Sequence, residues 1–302
     1  MNILITGANG QLGNELRKFQ LHPLLCLHFA QHTWRGAGGE VNHRFFFTDV
    51  DELDITNPDA VNDFFEKNGI QTVINCAAYT AVDKAESDES TATLINATAV
   101  GYLAAACNKA NATLIHISTD YVYDGCTCQP YSEDHPTVPA SAYGRSKLAG
   151  EKAALTSPKS VVIRTSWLYS SFGNNFVKTM LRLGKERETL NVVFDQTGTP
   201  TNAADLAQAI MTIVNAAEQN ELKTGIFHYS NEGVCSWYDF AHEIMQQAGL
   251  KCVVKPIETK DYPAPAPRPH YSVLNKTRIK AAYGLEIPHW KDSLMKMVRD
   301  VS

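Results

Sequence analysis

The segment that follows the first apolar run restricts the fold of this chain more than any other feature. Residues 3–6 lead directly into Gly7-Ala-Asn-Gly10-Gln-Leu-Gly13, where a helical pattern begins. In a strand–turn–helix unit, such glycines permit a tight turn, let a pyrophosphate approach the backbone and let the helix pack on the strand. The helix N-terminus adds free N–H donors and a positive dipole end. Gly7, Gly10 and Gly13 therefore predict a dinucleotide-binding loop, although a simple structural turn can have the same spacing.

The first half of the chain alternates buried strands with helices. Short continuous apolar runs are typical of strands that are covered on both faces. Such runs occupy residues 3–6, 72–77, 114–118 and 161–165. Between them lie an alanine-rich helical pattern at 93–108 and a second one at 141–155, which begins with a serine able to cap it. The pattern predicts an α/β fold of the Rossmann type, with a doubly wound parallel sheet.

The pattern changes after about residue 168, where we expect a smaller lobe interleaved with the sheet. The segments concerned are a helix at 175–187, a turn from Asp195, a helix from Ala203, a strand at 226–229 and a proline-rich loop at 262–269. We expect residues 1–168 with 199–230 to form the dinucleotide-binding domain, and residues 169–198 with 231–302 to form the second lobe. Residues 28–44 resemble a surface loop or an irregular insert.

The composition excludes several classes of partner. The 302 residues have a formal net charge of -5, without the basic excess that nucleic-acid binding favours. Seven cysteines without zinc-ligand spacing indicate reduced thiols, and the close pair Cys126 and Cys128 fits two loop thiols better than a metal or redox site. No residues have the spacing of a metal site. The chain begins without a basic leader and contains no apolar stretch long enough to cross a bilayer, so we expect a cytoplasmic protein without a membrane partner.

A tyrosine and a lysine lie four residues apart in the segment Tyr143-Gly-Arg-Ser-Lys147, on one face of the predicted helix. A phenol is a poor proton donor or acceptor at neutral pH, and a neighbouring cation stabilises the phenolate and lowers its pKa. Hydride transfer to a carbonyl requires such a group, because the forming alkoxide must be protonated. The same spacing also occurs by chance on many helices.

Ser118-Thr119-Asp120 follows the buried run at 114–118, and doubly wound sheets bind ligands at the carboxyl ends of their strands. The Thr119 hydroxyl is positioned to donate a hydrogen bond to a substrate carbonyl. Alone, it would fit a residue that only satisfies local backbone groups. Together with Tyr143 and Lys147 it predicts a catalytic group.

A ribose-binding acidic residue is expected about twenty positions after the glycine loop, and the sequence has no obvious Asp or Glu there. Asp49 and Asp54 lie later and are both able to contact the ribose. Arg35 and Arg44 are equally able to receive a 2′-phosphate. The choice between NADH and NADPH therefore stays open.

Several segments together resemble the family of dTDP-4-dehydrorhamnose reductases, which are extended short-chain dehydrogenases. The resemblance covers residue 1 to at least Asn275. The narrow motifs are Ala81-Val-Asp-Lys-Ala-Glu86, Gly173-Asn-Asn-Phe176 and Asp195-Gln-Thr-Gly-Thr-Pro200, and the wider ones are Gly7 to Gly13, Ser118 to Tyr123, Tyr143 to Lys147, Arg164 to Tyr169, and Arg268-Pro269 before Ser272 to Asn275.

The resemblance implies a reaction and a set of contacts. The reaction is reduction of the C4 ketone of dTDP-4-dehydro-β-L-rhamnose by NADPH, or by NADH, to give dTDP-L-rhamnose. The implied cofactor contacts are Gly10, Gln11, Leu12, Asp54, Ile55, Ala78, Tyr79, Thr80, Tyr143 and Lys147. The implied substrate residues are Thr119, Asp120, Tyr121 and Trp167, with Asn96 shaping the proton path. The second lobe would then bind the nucleotide sugar.

Two departures from the family pattern leave a metal-linked assembly open. The stretch from Leu21 to Arg44 is longer than in the family, and some relatives have a Mg²⁺-linked carboxylate cluster between subunits. Glu15 fits that cluster, but Ala203-Ala204 occupies the place of an acidic partner. Both a monomer and a homodimer are compatible with the sequence.

Two other functions remain possible on this fold. A nucleotide-sugar epimerase or dehydratase has the same loop and the same Tyr/Lys pair, but it regenerates a tightly bound NAD. A non-catalytic regulatory subunit is the alternative outside enzymes, since fold alone does not determine function. The presence of Thr119, Tyr143 and Lys147 together favours a reductase.

Overall fold

The computed structural model describes residues 1–21 and 43–301. Its strands are β1 Asn2–Thr6, β2 Arg44–Thr48, β3 Thr72–Asn75, β4 Thr113–Thr119, β5 Ser160–Thr165, β6 Leu168–Tyr169, β7 Thr189–Val193, β8 Thr197–Gly198, β9 Thr201–Asn202, β10 Gly225–His228, β11 Cys235–Ser236 and β12 Val253–Ile257. Its α-helices are α1 Gln11–Leu21, α2 Pro58–Asn68, α3 Val82–Ala85, α4 Glu89–Thr93, α5 Ala99–Ala110, α6 Ala142–Ala154, α7 Phe176–Glu186, α8 Ala203–Glu218, α9 Trp237–Gln247, α10 Thr277–Tyr283 and α11 Trp290–Val301.

A parallel sheet forms the centre of the described part of the chain, with the strand order β10-β5-β4-β3-β1-β2. The chain builds outward from β1 in one direction to β2 and in the other through β3, β4, β5 and β10. The carboxyl ends of β1 and β3 therefore flank the point at which the strand order reverses, where such sheets bind ligands.

Helices cover both faces of this sheet, as a doubly wound fold requires. One buried cluster contains Leu16 of α1 and Ile210 of α8, and the opposite cluster contains Val61 of α2 and Leu103 of α5. The prediction of a doubly wound α/β fold is confirmed.

A separate apolar cluster joins the later elements. Residues of α7, α9 and α11 pack there against the parallel pair β7 and β12, with Phe240, Ile244 and Leu294 fully buried. The short pairs β6–β9 and β8–β11 tie this cluster to the region beyond β5. The smaller group of elements therefore lies beyond the carboxyl end of the sheet.

Most predicted elements lie within a few residues of the observed ones. The Ser141 hydroxyl caps α6 by accepting the N–H of Gly144 at 3.1 Å, as expected. The predicted helix at 93–108 differs, because a π-helical turn, Leu94–Thr98, separates α4 from α5. Of the proposed insert at 28–44, residue 44 begins β2, residue 43 precedes it, and residues 28–42 lie outside the described part.

No helix within residues 1–21 and 43–301 is long and apolar enough to span a membrane.

Candidate active site

The glycine loop connects β1 to α1, and its three glycines have different roles. Gly7 has a φ of 62°, and a Cβ there would lie 2.6 Å from Cα of Ala77 in the loop after β3. A Cβ on Gly13 would lie 2.5 Å from Cα of Ala8, so this glycine lets α1 pack on the turn. Gly10 is exposed, and a Cβ there would approach only a loop carbonyl, at 3.2 Å. The loop thus leaves its open side at Gly10, which fits the approach of a pyrophosphate.

The two residues between Gly10 and Gly13 face different surroundings. Gln11 begins α1, and its Oε1 accepts a hydrogen bond from Nδ2 of Asn175 at 3.0 Å. Leu12 is buried in the cluster under the sheet. The segment that precedes α7 therefore lies against the start of α1, next to the glycine loop.

Of the acidic residues after β2, Asp49 lies beside the glycine loop. Asp49 Oδ2 accepts the N–H of Asn9 at 3.1 Å, which fixes Asp49 at the adenosine end of the predicted cofactor site. Asp54 is exposed and accepts hydrogen bonds from the N–H and the hydroxyl of Thr56, which lower the pKa of its carboxyl. Ile55 is buried beside it.

Arg44 does not lie where a 2′-phosphate would be bound. It is the first residue of β2 and pairs with Asn2 at the start of β1, so it lies at the amino edge of the sheet. Its guanidinium packs over the ring of Phe46, with Cζ 4.8 Å from the ring centroid. The expectation for Arg44 is therefore wrong, because strand register puts it at the edge opposite the glycine loop. Arg35 lies outside the described residues.

The loop after β3 contains Ala78, Tyr79 and Thr80, and Asn96 holds it in place. Asn96 lies in the π-helical turn and is 1% exposed. Its Oδ1 accepts the N–H of Tyr79 at 2.8 Å, and its Nδ2 donates to the Tyr79 carbonyl and to Oγ of Ser146. The side chain thus links the loop after β3 to the turn of α6 that contains Lys147.

The end of β4 brings three predicted substrate residues together. The Thr119 hydroxyl donates to Asp120 Oδ1 at 3.0 Å and accepts the N–H of Tyr121. Asp120 is 2% exposed, and burial raises the pKa of its carboxyl to about 6. The ring of Tyr121 contacts that of Tyr143 edge to face, with centroids 5.6 Å apart.

Tyr143 lies in the first turn of α6 beside the end of β4. Burial raises the pKa of the Tyr143 phenol, and a hydrogen bond with the Thr119 side chain acts in the opposite direction. The expected lowering by Lys147 is not observed in this geometry, because the Lys147 ammonium donates to the carbonyl of Ile117 at 2.6 Å. Burial also lowers the pKa of Lys147 to about 8, and the charge of Glu151 opposes this change.

Trp167 has an uncommon backbone conformation, with a φ of 48°. Its indole stacks on that of Trp237 at a centroid distance of 3.7 Å and an angle of 11°. A Cβ on Gly198 would lie 2.7 Å from Cε2 of Trp167, so this position of the Asp195–Pro200 motif must be small. Bulky residues with a left-handed backbone conformation are rare, and they concentrate at functional sites.

Sequence reasoning missed two groups near the site. Glu151, four residues after Lys147, pairs with Arg164 in the protein interior. Arg268 pairs with Asp83 at 2.8 Å and also hydrogen-bonds Tyr121. The four-residue spacing of Glu151 from Lys147 could have predicted that Glu151 lies on the same helix face. The contact between Asp83 and Arg268 joins distant segments, and no sequence pattern indicated it.

Glu15 makes its contacts within the chain. Its carboxylate accepts the Ser170 hydroxyl at 2.7 Å and pairs with Lys18 at 2.6 Å. Within residues 1–21 and 43–301, no three histidine, cysteine or acidic side chains are grouped as metal ligands.

Comparison with known proteins places this chain in a family. The model of the family described as RmlD substrate binding domain matches residues 1–302. The dTDP-4-dehydrorhamnose reductase of Aggregatibacter actinomycetemcomitans is 41% identical over 304 residues, which cover 97% of this chain and 96% of that protein.

Two solved structures have the same fold over nearly the whole chain. A dTDP-4-dehydrorhamnose reductase from Clostridium acetobutylicum has a TM-score of 0.89 and 44% identity, covering 100% of this chain and 99% of its own. The Bacillus anthracis dTDP-4-dehydrorhamnose reductase in complex with NADP has a TM-score of 0.88 and 37% identity, covering 99% of both chains. The chain therefore belongs to the RmlD family, the family of the dTDP-4-dehydrorhamnose reductases.

Proposed function

We propose that this protein reduces the C4 ketone of dTDP-4-dehydro-β-L-rhamnose to the alcohol of dTDP-L-rhamnose, with NADPH or NADH as reductant. The observation that carries the proposal is the meeting of Thr119, Tyr143 and Lys147 at the carboxyl end of β4. The glycine loop lies at the same edge of the sheet, two strands away.

The three side chains fit the proton chemistry of carbonyl reduction. The reduced nicotinamide, when bound, supplies the hydride. The Tyr143 hydroxyl supplies the proton to the substrate oxygen, and the Thr119 hydroxyl donates a hydrogen bond to that oxygen as negative charge develops on it. The Lys147 ammonium, which donates to the Ile117 carbonyl in this structure, would hold the nicotinamide ribose and would stabilise the tyrosinate that remains once the cofactor is bound.

The cofactor would lie along the carboxyl edge of the sheet. Backbone groups of residues 10–12 would bind the pyrophosphate, and Asp54 with Ile55 would contact the adenosine half. Residues 78–80 would line the nicotinamide side. Support comes from the open side of Gly10 and from the hydrogen bonds by which Asn96 fixes Tyr79.

The substrate would occupy the space beyond β4. Asp120, Tyr121 and Trp167 would contact the sugar nucleotide, and Asn96 would influence the proton path through Ser146. The third apolar cluster supports the proposed division into residues 1–168 with 199–230 and residues 169–198 with 231–302, because it contains Phe240 and Leu294 but none of the six sheet strands. For the assembly we propose a monomer or a homodimer.

Consumption of reduced cofactor with a panel of substrates tests the function. We expect rapid loss of nicotinamide absorbance with dTDP-4-dehydrorhamnose, slower loss with the UDP and GDP analogues, and little with simple ketones, because binding of the nucleotide helps to position the reacting carbon. Interconversion of epimers without net cofactor use would instead indicate an epimerase. No reaction with any sugar nucleotide would favour a regulatory subunit.

The Tyr143→Phe variant tests the proton donor. Turnover should fall by about 10² to 10⁴, the usual contribution of a general acid, while cofactor affinity stays close to that of the parent. Tyr238→Phe, on α9, is the matched control and should keep parental turnover. Near-parental turnover in Tyr143→Phe would exclude the assigned role.

A further inference from the structure

A buried ion pair lies directly behind the proposed catalytic residues. Glu151 of α6 accepts hydrogen bonds from Nε and Nη2 of Arg164, at 2.9 and 2.6 Å, and these two residues are 1% and 2% exposed. Removing two charges from water costs several kcal/mol per ion, so a buried pair is often no more stable than an apolar one of the same volume. Its presence here calls for a role other than stability.

Three side chains of α6 contact successive residues near the end of β4. Positions 143, 147 and 151 are four residues apart and therefore lie along one face of the helix. Tyr143 hydrogen-bonds the Thr119 side chain, and Lys147 donates to the Ile117 carbonyl. The Ser118 hydroxyl donates to Glu151 Oε1 at 2.5 Å. Glu151 thus connects the helix to the strand residue between those that contact the other two.

We propose that Glu151 is a positioning residue for the reduction: it holds the end of β4 against α6, and it supplies the counter-charge for the buried ammonium of Lys147. Arg164 fixes the orientation of the carboxylate, and the hydroxyl of Tyr123 accepts from Nη1 of Arg164 at 2.6 Å. Loss of Glu151 would therefore separate Thr119 from the first turn of α6. The proposal rests on the reductase function.

The charged and titratable groups around Lys147 come from four directions. Cys76, after β3, stays a neutral thiol because burial raises its pKa to about 12. His116 of β4 stays neutral because burial lowers its pKa well below the ordinary value. Tyr143 lies one turn earlier on α6, and Glu151 one turn later.

The hydrogen-bond chain behind His116 assigns its tautomer. The Thr6 hydroxyl donates to Asn75 Oδ1 at 2.7 Å, so the Asn75 amide donates to Nδ1 of His116 at 3.0 Å, and Nε2 carries the proton. The imidazole therefore presents no negative charge to Lys147.

The remaining charges near α6 are used elsewhere. Glu86 and Glu89, from the α3–α4 region, accept from the N–H of Ala142 and from Arg145 at the beginning of the helix. Arg164 is bound to Glu151. Glu151 is accordingly the acidic group that favours the charged form of Lys147.

Two single variants separate the two parts of the role. Ser118→Ala deletes one hydroxyl and leaves the ion pair intact, so kcat should fall about tenfold, as expected for loss of a hydrogen bond to a charged group, without a change in pH profile. Glu151→Gln should lower kcat and also move the alkaline limb of kcat/KM to lower pH by about one unit, because Lys147 loses its counter-charge.

A double variant keeps the test independent of folding. Glu151→Leu with Arg164→Met replaces the pair by apolar side chains, which should maintain the melting temperature. The alkaline limb should still move to lower pH. Glu89→Gln, which breaks an exposed pair with Arg145 on the same helix, is the matched control and should leave both kcat and the pH profile unchanged.

Parental kcat and pH profile in the folded double variant would show that Glu151 only stabilises the fold, and parental kcat in Ser118→Ala would refute the contact between strand and helix. NADH binding followed by fluorescence provides a readout that needs no sugar substrate: its weakening at alkaline pH should begin at lower pH in Glu151→Gln. An inactive parent with this binding shift would refute the proposed reaction and leave the role of Glu151 toward Lys147 supported. An active parent without the shift would support the proposed reaction and refute the role of Glu151 toward Lys147.

Discussion

The substitution Asp120→Asn should reveal a buried charge that costs stability. Asp120 is 2% exposed, and burial raises the pKa of its carboxyl from an ordinary value of 3.8 to about 6. Each pKa unit corresponds to about 1.36 kcal/mol, so the ionised carboxylate destabilises the folded state by about 3 kcal/mol. The hydrogen bond from the Thr119 hydroxyl and the influence of the Ser272 side chain reduce this cost without removing it.

The sign follows from proton binding. Between about pH 4 and pH 6 the unfolded chain has lost the Asp120 proton and the folded chain still holds it, so the free energy of unfolding falls as pH rises through this window. Below pH 4 both states hold the proton, and above pH 6 neither does. Asp120→Asn has no such dependence. The variant's free energy of unfolding, relative to the parent's, should rise by about 3 kcal/mol from pH 4 to pH 7.

Urea unfolding at a series of pH values measures this difference. Any constant cost of the new amide cancels, because only the change with pH is used. Asp63→Asn, at an exposed position on α2, is the matched control for the loss of a carboxylate at the surface. A flat difference for Asp120→Asn would refute the argument from burial. The same variant should lose activity if Asp120 contacts the sugar, which is the usual conflict between stability and function.

The remaining predictions concern the two halves of the site. Gly10→Val should weaken dinucleotide binding and leave the fold intact, by calorimetry and melting temperature, whereas Gly13→Ala should lower the melting temperature because its Cβ would lie 2.5 Å from a backbone atom. Gly198→Ala should displace the indole of Trp167 and raise KM for the sugar nucleotide while KM for the cofactor stays parental; an equal rise of both would contradict this. Asp49→Asn should improve NADPH relative to NADH in kcat/KM by about tenfold, since a carboxylate beside the ribose repels a 2′-phosphate; an unchanged ratio would place the 2′-phosphate elsewhere.

Local signals in the sequence were enough to predict the sheet and to place the proposed catalytic residues Tyr143 and Lys147 on one helix. Continuous apolar runs predicted the buried strands. The glycine loop was recognised from the strand and the helix that adjoin it in the sequence. The four-residue spacing of Tyr143 and Lys147 puts them on one face of α6, and this does not depend on the tertiary structure. The hydrogen bond between Ser141 and Gly144 is equally local.

Strand register and burial could not be predicted from local sequence patterns. Arg44 was as good a candidate for a 2′-phosphate as any basic residue until β2 paired in parallel with β1, which put Arg44 opposite Asn2 at the wrong edge. The pKa of Tyr143 was expected to fall because a cation was close in sequence. The ammonium of Lys147 binds the Ile117 carbonyl instead, and burial of the phenol dominates. Neither fact is visible without the position of β4.

The contacts of the Asp195–Pro200 motif give a physical reason for its glycine. A Cβ on Gly198 would meet both Oγ of Ser272, at 2.6 Å, and the indole of Trp167, at 2.7 Å. Ser272 in turn acts on the Asp120 carboxyl, so three segments from distant parts of the chain converge on the end of β4. A glycine in the Asp195–Pro200 motif is therefore a condition for bringing Trp167 and Asp120 to one site. These contacts lie on the proposed sugar side, whereas the requirements of the glycine loop come from a cofactor common to many enzymes.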